Sequence, residues 1–227
     1  MKKISSIPEF LISTFEFRNK ILADVGCGNG ALSADIANAG AKVTGIDKKD
    51  IISGLDARKL KPVKLLESKA EKLPFRNSSF DYLLYSASFH HVPLSKMKTA
   101  LAEASRVLKK NGKIIFIEPV AISGTYYSLA RHYREEKEIQ KEAHKVIKNS
   151  GKFGFAEISE NFYYVLRNYA YYEAQINFFE KNKIKRDLIL KKAKKTIYKL
   201  FRTKYKDIHK LKIKSVIRVN VLKKSDF

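Results

Sequence analysis

The chain has 227 residues, 44% apolar and 30% charged, enough for one substantial α/β domain with its own core. No apolar run approaches the roughly 18–20 residues that cross a bilayer, and "FLISTF" near the start is short and flanked by Glu9 and Glu16, so the expectation is a cytoplasmic protein with neither signal peptide nor transmembrane segment. A single cysteine, Cys27, excludes an intrachain disulfide and any cysteine-rich metal site, while a net charge of +23 makes the chain strongly basic.

The first 120 residues alternate strand-like and helix-like segments with short connections, the pattern of a parallel α/β sheet. Strands are predicted at 21–25, 42–47, 62–67, 81–86 and 113–118, most of them near-continuous apolar or β-branched runs, as strands buried on both faces require. A helix from Ala31 to Ala39 starts at a glycine loop and ends at Gly40, a natural C′ residue. A second, Ser95 to Lys110, has Ser95 as its expected cap, an apolar stripe of Met97, Ala100, Leu101, Ala104, Val107 and Leu108, and Asn111-Gly112 as its stop.

Beyond Pro119 the pattern changes. Tyr126 to Lys148 reads as a long charged helix burying Leu129, Tyr133, Ile139, Ala143, Val146 and Ile147. A strand and an aromatic-rich helix follow, and Phe162 to Phe179 holds eight Phe and Tyr residues, either core or a stacking platform for a planar substrate. A further helix, Asp187 to Phe201, buries Ile189, Ala193, Ile197, Leu200 and Phe201 and turns Lys191, Lys192, Lys194, Lys195 and Lys199 outward. "KIKSVIRVNVLKK" closes the chain as a strand. With no repeat and no linker, residues 1–227 read as one domain, with a regular α/β half at 20–120 and a differently patterned half at 121–227.

The charge is unevenly spread. Residues 181–227 carry 18 Lys and Arg against 3 Asp and Glu. That field suits an anionic partner, RNA or an anionic membrane surface, and equally suits a Lys-rich surface of the heat-adapted kind.

"ILADVGCGNG", residues 21–30, places three of the chain's ten glycines behind Asp24. A glycine turn from strand to helix lets a ligand approach the backbone and the unpaired N–H groups of a helix start. Asp47, at the end of the next strand, is positioned for ribose hydroxyls. A nicotinamide dinucleotide would need G-x-G-x-x-G, and here the third glycine comes one residue early. A carboxylate at Asp24 would repel a pyrophosphate and favour a cationic ligand, such as the sulfonium and ammonium of S-adenosylmethionine.

"ADVGCGNG", "VTGID", "AEKLPFRNSSFDYLLYSASFHHV" and "ASRVLKKNGKIIFIEP", in this order over residues 20 to 120, resemble the class I S-adenosylmethionine-dependent methyltransferases with a type 11-like domain, a group that includes small-molecule and wobble-uridine methyltransferases. The resemblance implies an α/β Rossmann-like fold. Its sheet would have seven mostly parallel strands with helices on both faces, and a C-terminal antiparallel strand pair interrupted by extra helices. It implies S-adenosylmethionine as cofactor, leaving as S-adenosylhomocysteine, and methyl transfer by in-line displacement. Asp24 would then face the methionyl amino group, Gly26, Cys27, Gly28 and Gly30 would line the cofactor through their backbone, and Asp47 would hold the ribose. Ala70 and Glu71 would border adenine, and Ser86 would meet the methionyl part. Where many members have an aspartate for the adenine amino group, this chain has Lys69, which cannot accept that bond.

Methyl transfer needs placement above all, and a base only where the acceptor must lose a proton. His90 and His91, after the fourth strand, are the catalytic candidates, the alternative being packing histidines that open the turn before Pro93. Cys27 reads as a small residue where the cofactor packs rather than as a nucleophile, and no cluster has metal-ligand spacing. The acceptor stays open between tRNA or other RNA, tracked by the lysine face, and a small aromatic or isoprenoid-quinone molecule held by the aromatic block. A non-catalytic binding protein on the same fold is the third reading.

Overall fold

The computed structural model describes residues 1–120, 128–129, 137–201, 208 and 211–225. Eight strands form one sheet: β1 (Lys2–Ile4), β2 (Ile21–Val25), β3 (Lys42–Asp47), β4 (Val63–Glu67), β5 (Phe80–Ser86), β6 (Leu108–Pro119), β7 (Phe155–Asn168) and β8 (Lys212–Lys224). Their order is β1-β7-β8-β6-β5-β2-β3-β4. Only β8 runs antiparallel to its neighbours, inserted between β6 and β7. The expected seven strands are therefore present, with β1 added in parallel at the β7 edge.

The described helices are α1 (Ile7–Thr14), α2 (Ala31–Asn38), α3 (Lys49–Ile52), α4 (Leu94–Val107), α5 (Lys137–Lys148), α6 (Tyr169–Phe179) and α7 (Lys183–Phe201). Side chains alternate along the buried strands and feed two cores, one on each face. Leu83, Tyr85, Ile114 and Phe116 pack with α4 and α5, whereas Tyr82, Leu84, Ile115 and Ile117 pack on the side of α1 and α2. A third cluster joins α6 and α7 through Tyr169, Tyr172, Ile176, Ile189, Ala193 and Ile197.

Several expected boundaries shift. Pro93 stands at the N-cap position of α4 and makes no side-chain cap bond, so Ser95 lies inside the helix rather than capping it. The helix ends at Val107 because Leu108 pairs with Phe80; the register then jumps to Lys113 opposite Tyr82, with Asn111 at φ 63° between. Leu108 fits the helical stripe and the strand alike, and tertiary pairing decides. In α5 the buried positions are Gln140, Ala143 and Ile147, while Ile139 is 47% exposed rather than core. The expected helical stretch 126–136, with Tyr133, lies outside the described residues except for 128–129, of which Leu129 is buried. The start of α7 moves upstream of Asp187, because the Asn182 side chain accepts a bond from the Lys185 N–H at 2.9 Å, and Leu200 is exposed. No helix among the described residues is long and apolar enough to cross a membrane.

Candidate cofactor and active site

A cleft of about 1150 Å³ opens at the carboxyl ends of β2, β3, β5 and β6, the edge where open parallel sheets take ligands. Its floor is the glycine loop. Gly26 and Cys27 both donate their N–H to the Ile46 carbonyl, at 2.7 and 3.0 Å, which pulls the loop across the end of β3. Gly26 has φ 79°, and a Cβ there would sit 2.4 Å from the Ser88 Cβ, so glycine lets the two loops cross. Ser88 fixes that crossing by donating its hydroxyl to the Val25 carbonyl at 2.6 Å.

Asp47 closes the loop from β3. One carboxylate oxygen accepts the Gly28 N–H at 2.8 Å and the other accepts the Lys48 N–H at 2.8 Å. Asp24 is 1% exposed; its Oδ2 accepts the Ser33 hydroxyl at 2.6 Å, and its Oδ1 is buried without a hydrogen-bond partner. Burial raises the Asp24 pKa to about 6; the Ser33 bond opposes the shift and the nearby Asp47 charge adds to it. The structure thus spends free energy to keep one carboxylate oxygen buried and without a partner at the edge of the cleft.

Asp24, Gly26, Cys27, Gly28, Asp47, Ala70, Glu71, Ser86, His90 and His91, drawn from four separate loops, all line this one cleft. Gly30 does not. It stands at the N-cap position of α2 with φ 74°, and a Cβ there would meet Leu60 at 2.7 Å, so its role is to turn the chain into the helix. Burial pushes the Cys27 thiol up, with the Asp24 and Asp47 charges adding, which keeps it a thiol and unfit as a nucleophile. Lys69 is exposed at the cleft edge, bridged in backbone register to Lys72.

The two histidines separate in environment. His91 is exposed, and His90 is 2% exposed with its Nδ1 bonded to the Glu118 carboxylate. Glu118, at the end of β6, is 1% exposed and also accepts the Phe89 N–H at 3.0 Å. Its cross-strand partner is the buried Arg218. Burial holds the Arg218 pKa down, and Glu118 is the largest charge working against that shift. Between β5 and His90, Ala87 adopts φ 50°, an uncommon conformation for alanine, and donates its N–H to the Ile117 carbonyl at 2.7 Å.

The second half of the chain supplies the opposite wall. Val165, Tyr171, Tyr172, Ile176 and Phe179 line it, and the Phe179 ring lies 3.6 Å from where a Gly28 Cβ would be. The aromatic block is therefore divided: Tyr169 is core, Tyr172 belongs to that core and also borders the cleft, and Tyr171 and Phe179 face the cleft. The Tyr172 hydroxyl donates to the Leu129 carbonyl at 2.9 Å, and the Arg167 guanidinium lies 3.9 Å from the Tyr171 ring centroid. Tyr85 and Gln140 each bring a buried oxygen without a hydrogen-bond partner to the same cleft. Among the described residues, no cluster of three His, Cys, Asp or Glu could hold a metal.

Sequence reasoning missed Ser88 and the N-terminal Ser5 to Pro8, which line the cleft, and Ser33 and Glu118, which lie behind it and bond Asp24 and His90. Only Glu118 left a signal, an acid closing the apolar run "IIFIEP".

The mostly parallel sheet, with a glycine loop and two acids at its carboxyl edge, is a Rossmann-like α/β fold. Residues 23–116 match the family model described as a methyltransferase domain. Among curated relatives, a sterol 4-C-methyltransferase of Caenorhabditis elegans is 29% identical, over 49% of this chain and 34% of its own length. A demethylmenaquinone methyltransferase of Chlorobaculum tepidum is 36% identical, over 45% of this chain and 42% of its own length. The chain thus spans well under two thirds of the curated relatives it matches. Of solved structures, phosphoethanolamine N-methyltransferase 2 of Haemonchus contortus in complex with S-adenosyl-L-methionine shares the fold. Its TM-score is 0.57 at 14% identity, over 94% of this chain and 50% of that one.

Proposed function

We propose that this chain is an S-adenosylmethionine-dependent methyltransferase acting on a small, largely apolar acceptor. The observation that carries the reading is the unpaired buried oxygen of Asp24 beside a glycine loop whose backbone a ligand can reach. A buried acceptor in want of a donor fits an ammonium group, and a cation there would also draw the Asp24 carboxyl back toward its ionised form.

In this reading Asp24 holds the amino group of the cofactor's methionyl part. Asp47, its carboxylate oriented by Gly28 and Lys48, accepts the ribose hydroxyls with its remaining lone pairs. The backbone of Gly26 to Gly28 lies against the cofactor, Ser86 meets its methionyl part, and Ala70 and Glu71 border adenine. Bound there, S-adenosylmethionine supplies an electrophilic methyl group on sulfur. The protein's contribution is then chiefly placement of an acceptor in line with that methyl. Glu118 fixes the orientation of the His90 ring through Nδ1, and His90 is in this reading the base that takes a proton from the acceptor.

The acceptor class rests on the opposite wall, where Ile117, Val120, Val165, Tyr171, Ile176 and Phe179 make a mostly apolar and aromatic surface. Two of the relatives are named for a sterol and for demethylmenaquinone, both apolar molecules. The test is transfer of labelled methyl from S-adenosylmethionine into separated lipid, small-metabolite and RNA extracts of the source cells. The reading expects label in the lipid or small-metabolite fraction. Label in RNA alone would overturn the acceptor class, and no transfer to any fraction would favour a binding protein on this fold.

A further inference from the structure

The outward face of α7 is built unlike a solvated helix surface. Ile184, Leu188, Lys191, Lys195 and Tyr198 follow one another at spacings of four and three, which sets them on a single stripe. Ile184 is 83% exposed, Leu188 50% and Tyr198 46%, on the side away from the buried Ile189, Ala193 and Ile197. Lys192 and Lys199 flank the stripe, and all four lysines named here are exposed. No carboxylate among the described residues pairs with Lys191, Lys192, Lys195 or Lys199, although Lys194 reaches Glu173 at 3.8 Å and Lys185 reaches Glu180 at 2.9 Å. Beside the stripe, Leu190, Lys191, Lys194, Lys195 and Tyr198, with the single carboxylate Asp187, border a shallow hollow of about 510 Å³.

We propose that this face of α7 docks the protein on an anionic lipid bilayer, with Ile184, Leu188 and Tyr198 entering the boundary between headgroups and acyl chains while the lysines meet lipid phosphates. Exposed apolar side chains interleaved with unpaired ammonium groups are what an interfacial helix requires: the apolar area supplies insertion, the charge supplies attraction, and lysine stems can lie along the apolar zone with their heads in the phosphate layer. RNA is served less well. Phosphate tracking gains nothing from an isoleucine and a leucine turned to solvent, and only Tyr198 on the stripe could stack on a base. A protein partner is also disfavoured, because lysine is depleted from the buried centres of such interfaces.

The position adds to the argument. α7 packs on α6 through Ile189, Ala193 and Ile197, while α6 presents Tyr171, Gln175 and Phe179 to the cleft. One helix pair thus carries the docking stripe and forms a wall of the cleft, so docking would hold the cleft beside the bilayer that stores apolar molecules. The docking itself does not depend on methyl transfer.

The test is flotation of the full chain with vesicles of phosphatidylglycerol and phosphatidylcholine, against vesicles of phosphatidylcholine alone. The expected result is co-flotation with the anionic vesicles at low salt and loss of most binding at high salt. Lys191→Gln with Lys195→Gln, and separately Ile184→Ser with Leu188→Ser, should each weaken binding by about tenfold or more. All four positions are exposed, so both variants should keep the parent circular dichroism and melting temperature. Absence from anionic vesicles at low salt would overturn the proposal. So would a serine variant that binds them as well as the parent, or total RNA that displaces the chain at equal phosphate; the last outcome would reassign the face to nucleic acid.

Discussion

At the proposed cofactor site, Asp24 is held at a cost before any ligand arrives. The chain buries the carboxylate, gives it one hydroxyl from Ser33 and leaves its other oxygen without a partner. Its pKa stands at about 6 in the folded protein against 3.8 ordinarily. Between those two values the native state binds more protons than the unfolded chain, so this group's contribution to stability falls as pH rises through that window and stays low above it. At pH 7.5 the penalty is about 3 kcal/mol by order of magnitude. Asp24→Asn should therefore raise the melting temperature of the cofactor-free protein at pH 7.5, raise it far less at pH 4.5, and abolish cofactor binding. Melting curves of both proteins across that range check this, and a difference independent of pH would contradict it.

At the scale of elements, the joining of β6 to the turn at Phe89–His91 governs the acceptor side of the cleft. Glu118 ties that turn down twice, through Phe89 and His90, while facing Arg218 across the strand pair. Removing it would leave the buried Phe89 N–H and His90 ring without their acceptor and take away the largest charge facing Arg218. Glu118→Ala should cost about 3–5 kcal/mol and Glu118→Gln distinctly less, measured by urea denaturation; a loss under about 1 kcal/mol for alanine would show that the turn at Phe89–His91 does not depend on Glu118. Elements were legible where the signal was local. β2, β3 and β8 lie at the predicted residues because unbroken apolar or β-branched runs end at polar or glycine boundaries. β1 was not legible: "KKI" has no pattern of its own and becomes a strand only by pairing with Tyr163–Val165, about 160 residues away. The glycine loop and both aspartates could be read from spacing, whereas the Phe179 wall depends on how α6 returns over the sheet, which no short stretch of sequence encodes.

For the whole molecule, charge and chemistry divide between the two halves of the chain. The strand ends of residues 20–120 hold the acids and glycines of the cleft, and residues 181–227 hold 18 of the 46 Lys and Arg. The second half also completes the sheet through β7 and β8 and lays Phe179 over the glycine loop. A cofactor bound in this cleft would join groups far apart in sequence, and its binding is the central claim. The most direct measurement is calorimetric titration of the protein with S-adenosylhomocysteine, beside Asp47→Ala and Gly28→Arg. The account predicts saturable binding to the parent chain, a loss of tenfold or more for Asp47→Ala from two charge-assisted bonds and the ribose contacts, and no binding for Gly28→Arg, whose side chain would meet Phe179 from a backbone at φ 56°. No binding to the parent, or unchanged affinity in both variants, would contradict it.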